Sequence, residues 1–327
     1  MTSASTVDPE PSRPLLEVED LVQSFRVPGG TVHAVSGVSF QVRRGETLGL
    51  VGESGCGKSS VAKALVRLPA PKAGRIRFDG VELTSMSFAR LRRVLPRMQI
   101  IFQDPISALN PRRRIRDVIA EGLTIHGMDA DGIADRVDET MRQVGLDPDL
   151  VADRRPGEFS GGQCQRIAVA RAMALHPDLL ICDEPVSALD VSVQAQVLNL
   201  LERMRAERGL AMLFISHDLA VVRNISDRIA VMYLGKIVEI GDADEVYREP
   251  AHPYTRALIE SVPVPDPAVA LGGRTLRGEL PSPLDPPRGC RFRTRCPLAR
   301  TTCAEIEPPL TRISPNRSVS CHFPLVN

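Results

Sequence analysis

The run Gly52-Glu53-Ser54-Gly55-Cys56-Gly57-Lys58-Ser59 is a glycine-punctuated turn that ends in a lysine and a hydroxyl. Glycines at these spacings let the backbone curl until successive N–H groups face one anion. Lys58 adds a point charge suited to the β and γ oxygens of a nucleoside triphosphate, and Ser59 a hydroxyl suited to Mg²⁺. Ser60 follows in the first turn of the helix expected from Lys58, whose positive dipole end points at the same anion. The turn leaves the apolar run Thr47-Leu48-Gly49-Leu50-Val51, the strand context this chemistry requires.

A second apolar run, Leu179-Leu180-Ile181-Cys182, ends in Asp183-Glu184. A strand end is a fixed position, so Asp183 can hold Mg²⁺ while Glu184 polarises an attacking water. His217 follows the run Ala211-Met212-Leu213-Phe214-Ile215, where it could touch the γ-phosphate, orient the water or serve only packing. Ser160-Gly161-Gly162-Gln163 places two glycines before a helix expected over residues 167–175, a second phosphate-binding N-terminus.

Four cysteines, Cys290, Cys296, Cys303 and Cys321, fall in a proline- and arginine-rich tail. Four thiolates can hold tetrahedral Zn²⁺ or an iron–sulfur cluster, but these spacings match neither a paired C-x2-C ribbon nor a ferredoxin run. Zinc, a cluster and no metal all stay open on spacing alone. Cys164 and Cys182 sit on an expected helix and strand, where a small hydrophobe packs well.

These groups need a scaffold. Buried strands alternating with helices of ordinary length imply a doubly wound α/β sheet. Residues 15–42 read as short strands around a Pro28-Gly29-Gly30 turn, and the helix from Lys58 should run through Leu68 until Pro69 and Pro71 stop it. Residues 104–159 turn helical and more polar, an insertion in the sheet. After Gly241 the composition shifts, and a separate C-terminal extension is expected.

Forty-one basic against forty acidic side chains leave the 327-residue chain near +1. That balance lacks the basic face of a bulk nucleic-acid binder, and no nucleic-acid partner is expected. The one dense basic patch, Arg112 to Arg116, reads as a solvated turn or as a contact for a partner or lipid headgroups. No apolar run reaches the ~18 residues needed to span a bilayer. Residues 1–14 lack a basic start and apolar core, so they read as a disordered tail rather than a secretory signal. A cytosolic protein with reduced thiols is expected.

The Ser160-Gly161-Gly162-Gln163 core, with the P-loop and acidic strand end, resembles the signature of ATP-binding-cassette ATPases. The resemblance covers residues 15–325 and implies a P-loop, RecA-like core with an antiparallel β subdomain and an inserted helical subdomain. It implies an ATPase domain over 15–245, with the helical part near 104–165, and an extension over 246–327. It assigns Gln103 to the loop that senses Mg²⁺ and meets the membrane partner. Ser187-Ala188-Leu189-Asp190 becomes the loop joining two sites, His217 the switch histidine, and Phe25 the aromatic beside adenine. Ser160 to Gln163 would serve the nucleotide held by a second cassette, in a head-to-tail dimer.

Ala251-His252-Pro253-Tyr254-Thr255-Arg256-Ala257-Leu258 further resembles the extension of the oligopeptide/dipeptide/nickel importer branch. Leu189 to Gln196 is more similar to the second of that branch's two paired ATPases. Cys56 is a P-loop variant the branch tolerates. The resemblance implies ATP and Mg²⁺ as ligands, and a [4Fe–4S] cluster at the four tail cysteines, with zinc as the alternative. The implied partners are a paired ATPase, two transmembrane permease subunits and an extracellular solute-binding protein, with this chain peripheral on the cytoplasmic face of the inner membrane. The implied work is ATP-driven peptide import. The alternative is a soluble, non-transport ABC ATPase acting in DNA repair or on ribosomes; one cassette per chain and the His-Pro-Tyr segment favour transport.

Overall fold

The computed structural model describes residues 13–261 and 278–326. The expected tail over residues 1–14 lies outside the described residues except for its last two positions.

β1 (Leu16–Val27) and β2 (Gly30–Val42) form one long antiparallel hairpin rather than several short strands. Leu16, Val18 and Leu21 face Val38, Phe40 and Val42 in a buried layer, and register shifts along β1 accommodate its twist. β3 (Thr47–Val51) is buried at every residue, as a central parallel strand must be. The P-loop follows and runs into α1 (Lys58–Leu65).

α1 ends before Leu68. Arg67 turns the chain at φ 58° and donates its guanidinium to the Leu83 carbonyl at 3.1 Å. β4 (Ala73–Phe78) and β5 (Val81–Glu82) complete a four-stranded sheet of order β2-β1-β4-β5. α2 (Phe88–Val94) then leads to β6 (Met98–Ile101).

The inserted segment holds α3 (Ile115–Ile125), α4 (Ala130–Gln143), α5 (Pro148–Val151) and α6 (Gly161–Met173). Ile115, Val118, Ile119 and Leu123 repeat at helical spacing on α3 and join Val137 and Met141 of α4 and Ile167 and Ala170 of α6 in one apolar cluster. α6 begins six residues before the expected helix, because Ser160 and Gln163 cap one another. Ser160 Oγ accepts the Gln163 N–H at 3.3 Å and Gln163 Oε1 accepts the Ser160 N–H at 3.0 Å.

The remaining elements are β7 (Leu179–Asp183), α7 (Val191–Arg208), β8 (Ala211–Ser216), α8 (Leu219–Ile225), β9 (Arg228–Tyr233) and β10 (Lys236–Asp242). α9 (Ala243–Arg248), α10 (Pro253–Glu260), α11 (Thr301–Glu305), β11 (Thr311–Ser314) and β12 (Arg317–Val319) follow. Eight strands form the second sheet in the order β11-β12-β10-β9-β3-β8-β7-β6.

The C-terminal extension is not set apart from this sheet. β12 pairs antiparallel with β10, and the buried Arg317 of β12 donates to the buried Glu239 of β10 at 2.6 Å. Removing one partner of such a pair would leave an uncompensated buried charge, so each residue requires the other. The extension therefore extends the sheet edge that β10 would otherwise expose.

Candidate active site

β3, β8, β7 and β6 are adjacent and parallel, so their C-terminal ends line up along one rim of the sheet. In an open α/β sheet that rim is where ligands bind. The P-loop leaves β3, His217 follows β8, Asp183 ends β7, and Gln103 lies two residues past β6. Residues far apart in the chain are thereby placed in one site by topology alone.

The P-loop shape depends on Gly57, which caps α1 at φ 109°, where a Cβ would stand 2.0 Å from the Ala34 carbonyl. No L side chain fits there. Lys58 Nζ donates to the carbonyls of Gly52 at 2.7 Å and Glu53 at 3.1 Å, folding its side chain back over the loop. Ser54 to Ser60 line a cavity of about 260 Å³, together with Phe25, Gln103 and Glu184. Phe25 lies on β1 and lines this cavity.

Ser59 Oγ donates to Asp183 Oδ1 at 2.8 Å. Burial, the largest influence, and the neighbouring Glu184 push the Asp183 carboxyl above its ordinary range, while Ser59 pulls it down. A hydroxyl and a buried carboxylate converging in this way fit a Mg²⁺ ion in both donor type and placement. Glu184 sits just past the strand end at φ 50°, a left-handed conformation unusual for a glutamate. That turn aims its carboxylate across the site. Glu184 Oε2 accepts from Gln103 Nε2 at 3.0 Å and lies 3.3 Å from His217 Nδ1, and Oε1 lies 3.7 Å from Lys58 Nζ. One carboxylate is thus held by three of the side chains singled out from the sequence.

The signature residues lie elsewhere. Ser160 and Gln163 are exposed and line no part of this cavity. Gly162 packs against α7, where a Cβ would meet Val193 Cγ1 at 2.4 Å, so the glycine is needed for close approach. Cys56 is buried in the P-loop, and desolvation raises its thiol to about 11, leaving it a neutral packing group. Arg114 and Arg116 of the basic patch both pair with Asp153, and Arg113 with Glu121, as a solvated turn would.

Two residues that sequence reasoning left out reach the P-loop from the extension. Tyr254 Oη accepts the Glu53 N–H at 2.9 Å, and Arg295 grips the Glu53 carboxylate at 2.8 and 3.1 Å. Tyr254 stood within the His-Pro-Tyr segment without a role. Nothing local marks Arg295 among the tail's other arginines.

Cys290, Cys296, Cys303 and Cys321 line one small cavity of about 10 Å³ with His252, Phe292 and Phe323. All four are free thiols. Burial raises Cys290 and Cys296, and takes Cys321 to about 11. Four converging thiols are the right donors for a soft metal. Among the described residues, however, no three His, Cys, Asp or Glu groups stand at metal-holding spacing. The metal centre expected there is therefore not seen as such; the thiols pack together instead.

Fold and site together define a P-loop ATPase of the cassette type. Residues 35–187 match the ABC transporter family, and residues 238–303 match the C-terminal region of oligopeptide/dipeptide transporters. The chain is 53% identical over 309 residues to the oligopeptide transport ATP-binding protein OppF of Escherichia coli, covering 93% of this chain and 92% of that one. It is similar in structure to cbiO1 of Clostridium perfringens, part of the ABC transporter complex cbiONQ. That match has a TM-score of 0.63 at 29% identity, over 72% of this chain and 90% of the other. A cassette solved as a dimer with ADP and Pi shares the fold, with a TM-score of 0.64 at 23% identity over 70% and 98% of the two chains. The chain belongs to the ABC transporter family and carries the C-terminal region of its oligopeptide/dipeptide branch. No helix of the described residues is long and apolar enough to cross a membrane.

Proposed function

We propose that this chain is the ATP-hydrolysing subunit of a peptide importer, peripheral on the cytoplasmic face of the membrane. The observation that carries the chemistry is the Glu184 carboxylate, held by Gln103 and His217 beside the Ser59–Asp183 pair. Similarity to oligopeptide transport ATP-binding proteins over nearly the whole chain supports the peptide assignment.

In this reading the P-loop N–H groups and Lys58 take the β and γ phosphates, and Lys58 exchanges its carbonyl partners for phosphate oxygens. Phe25 lies against the adenine. Ser59, Asp183 and Gln103 would hold Mg²⁺, which when bound neutralises charge on the phosphate oxygens. Glu184 accepts the proton of the attacking water, and His217 orients that water and the γ-phosphate. Ser160 to Gln163 present the α6 N-terminus to ATP held by a second cassette, so the working unit is a dimer with a paired ATPase. ATP binding favours the closed pair and hydrolysis releases it. The motion passes through the Gln103 region to two permease subunits fed by a solute-binding protein.

The four tail cysteines complete the proposal as ligands of one [4Fe–4S] cluster with a structural role. What supports this is the donor type, four free thiols lining one small cavity. As they stand they are not at metal-holding spacing, so cluster binding would have to draw them together.

The transport assignment is tested by co-purification and vesicle uptake. The tagged chain should bring down two hydrophobic permeases, and vesicles containing that assembly should accumulate peptide only with hydrolysable ATP. Association with ribosomes or DNA in place of permeases would overturn it.

A further inference from the structure

Glu53 sits inside the phosphate-binding loop, and every polar group it carries is taken by the protein. Its N–H donates to Tyr254 Oη at 2.9 Å. Its carbonyl accepts from Lys58 Nζ at 3.1 Å and from the Cys56 N–H at 3.2 Å. Its two carboxylate oxygens accept one guanidinium arm each from Arg295, at 2.8 and 3.1 Å. Tyr254 and Arg295 lie 201 and 242 residues away in the sequence, both in the C-terminal extension.

We infer that Tyr254 and Arg295 are positioning residues for ATP: they lock Glu53 so that the P-loop keeps its phosphate-binding curl, and Arg295 cancels a carboxylate that would otherwise repel the triphosphate. This rests on the reading of residues 52–59 as the triphosphate cradle. It adds to that reading a role for the extension in nucleotide affinity.

The electrostatic argument is direct. A carboxylate within a loop that must hold a multiply charged anion opposes binding unless a cation neutralises it. A bidentate arginine does so with fixed geometry, and it also turns the carboxylate toward itself. The Arg295 side chain is only 5% exposed, so little solvent screens the pair from its side.

The clamp is rigidly backed. The Tyr254 ring is buried edge-on against Tyr233, with ring centroids 4.7 Å apart, and 5.4 Å from Phe292. Tyr254 is aimed by its own segment. His252 caps α10 by accepting the Tyr254 N–H at 3.0 Å, and Pro253 occupies the first helical position. Glu239 of β10 accepts the N–H groups of Ala251 and His252 at 2.9 Å each, while Arg317 of β12 neutralises it. The His-Pro-Tyr segment is thus a strut from the sheet edge to the P-loop. Arg295 arrives by a second route, adjacent to Cys296. The Arg295 guanidinium lies 5.9 Å from the Tyr233 ring centroid, so both arms of the clamp rest on one aromatic group.

The test is calorimetric titration of the full chain with ATP and Mg²⁺, paired with thermal melting. The variants are Arg295→Met, Tyr254→Phe, Glu53→Gln/Arg295→Met and Lys58→Ala. Arg295→Met should weaken ATP binding about tenfold, the size produced by one unpaired charge near a phosphate. Adding Glu53→Gln should recover most of that loss, because the uncompensated carboxylate is its cause. Tyr254→Phe keeps the ring packing and should weaken ATP about threefold to tenfold, as expected for one part-buried N–H left without its acceptor. In the assembled ATPase, Arg295→Met and Tyr254→Phe should act on KM for ATP rather than on kcat, since neither side chain contacts the Glu184 carboxylate.

Native affinity in Arg295→Met and Tyr254→Phe overturns the inference, as does a loss that tracks lowered melting temperature and is not rescued by Glu53→Gln. If Arg295→Met does not fold, Tyr254→Phe alone decides, with native affinity counting against. Lys58→Ala separates the two readings: native affinity there removes the phosphate cradle itself. Lost affinity there, beside unaffected clamp variants, removes only the clamp.

Discussion

Ser59 and Asp183 lie 124 residues apart, yet the Ser59 hydroxyl donates to the Asp183 carboxylate at 2.8 Å. The contact exists because β3 and β7 both flank β8 in one parallel sheet and release their next residues on the same rim. Each residue is held independently, Ser59 by the first turn of α1 and Asp183 by its ladder partner Ile215 on β8. A pair fixed from two sides needs little rearrangement to accept a divalent ion.

Replacing Glu184 by Gln keeps the side chain's size and leaves the P-loop backbone and the two carbonyl contacts of Lys58 in place. ATP binding should therefore persist near native strength, while turnover falls about 10²–10⁴-fold, the range for loss of a general base. Single-turnover hydrolysis checks this directly. Turnover within a few-fold of native would remove Glu184 from its role.

Lys58→Ala should act on binding instead. Lys58 is 4% exposed and held over the loop by two carbonyls, so its charge is already placed where phosphate oxygens must lie. Losing a charged hydrogen bond of about 1.5–3 kcal/mol should weaken ATP about 10- to 100-fold. Equilibrium titration with ATP reads it out.

Much of this site was legible because its residues are punctuation at element ends. The P-loop, Asp183–Glu184 and His217 each close an apolar run, and a buried run read from sequence fixes where its last residue goes. Gly161 at the true start of α6 was harder, since glycines argue for a loop unless the Ser160–Gln163 capping pair is counted. The β9–β10 hairpin was missed although its two-residue Leu234-Gly235 turn, with φ 42° and 81°, is a local event marked by a glycine. The seating of β12 against β10 was missed because pairing across the extension is long-range and has no local signal. The Glu53–Arg295 pair belongs to the same class: an arginine among many, meaningful only after the extension folds back.

Alone, the chain should hydrolyse ATP weakly. Ser160 and Gln163 face solvent, away from the cavity of their own chain, so a single cassette lacks the second half of the proposed site. Specific activity should rise with protein concentration, and steeply on adding the paired ATPase and permeases. High specific activity that stays constant on dilution to a monomer would contradict the shared site.

His252 gives the fold an acid-sensitive point. Complete burial pushes its imidazole down to about 3, and its Nδ1 must stay unprotonated to accept the Tyr254 N–H. The unfolded chain takes up that proton near pH 6.5, so the stability supplied by neutral His252 is complete above that value. It is lost as pH falls toward 3, by about 1.4 kcal/mol per unit within the window. His252→Asn keeps a capping acceptor and removes the titration. Melting temperature should therefore fall less steeply between pH 7 and pH 5 in the variant than in the native chain. Parallel curves would show that His252 does not titrate with unfolding.

The boldest expectation concerns Cys290, Cys296, Cys303 and Cys321. The segment that carries them holds a short helix and a two-stranded hairpin, with Phe292, Cys303 and Val319 as its buried apolar residues. A piece this small gains little from its own core, and a metal centre would supply folding energy directly. Burial keeps at least three of the thiols protonated when no cation is near, so binding would release protons and tighten as pH rises. Protein purified without oxygen should be brown and carry about four iron and four sulfide per chain, as one cubane requires. Any single Cys→Ser change should bleach it and loosen the tail. Colourless protein with one equivalent of zinc would reassign the site, since a d¹⁰ ion absorbs no visible light. Colourless, metal-free protein whose tail still resists proteolysis would show that the four thiols serve packing alone.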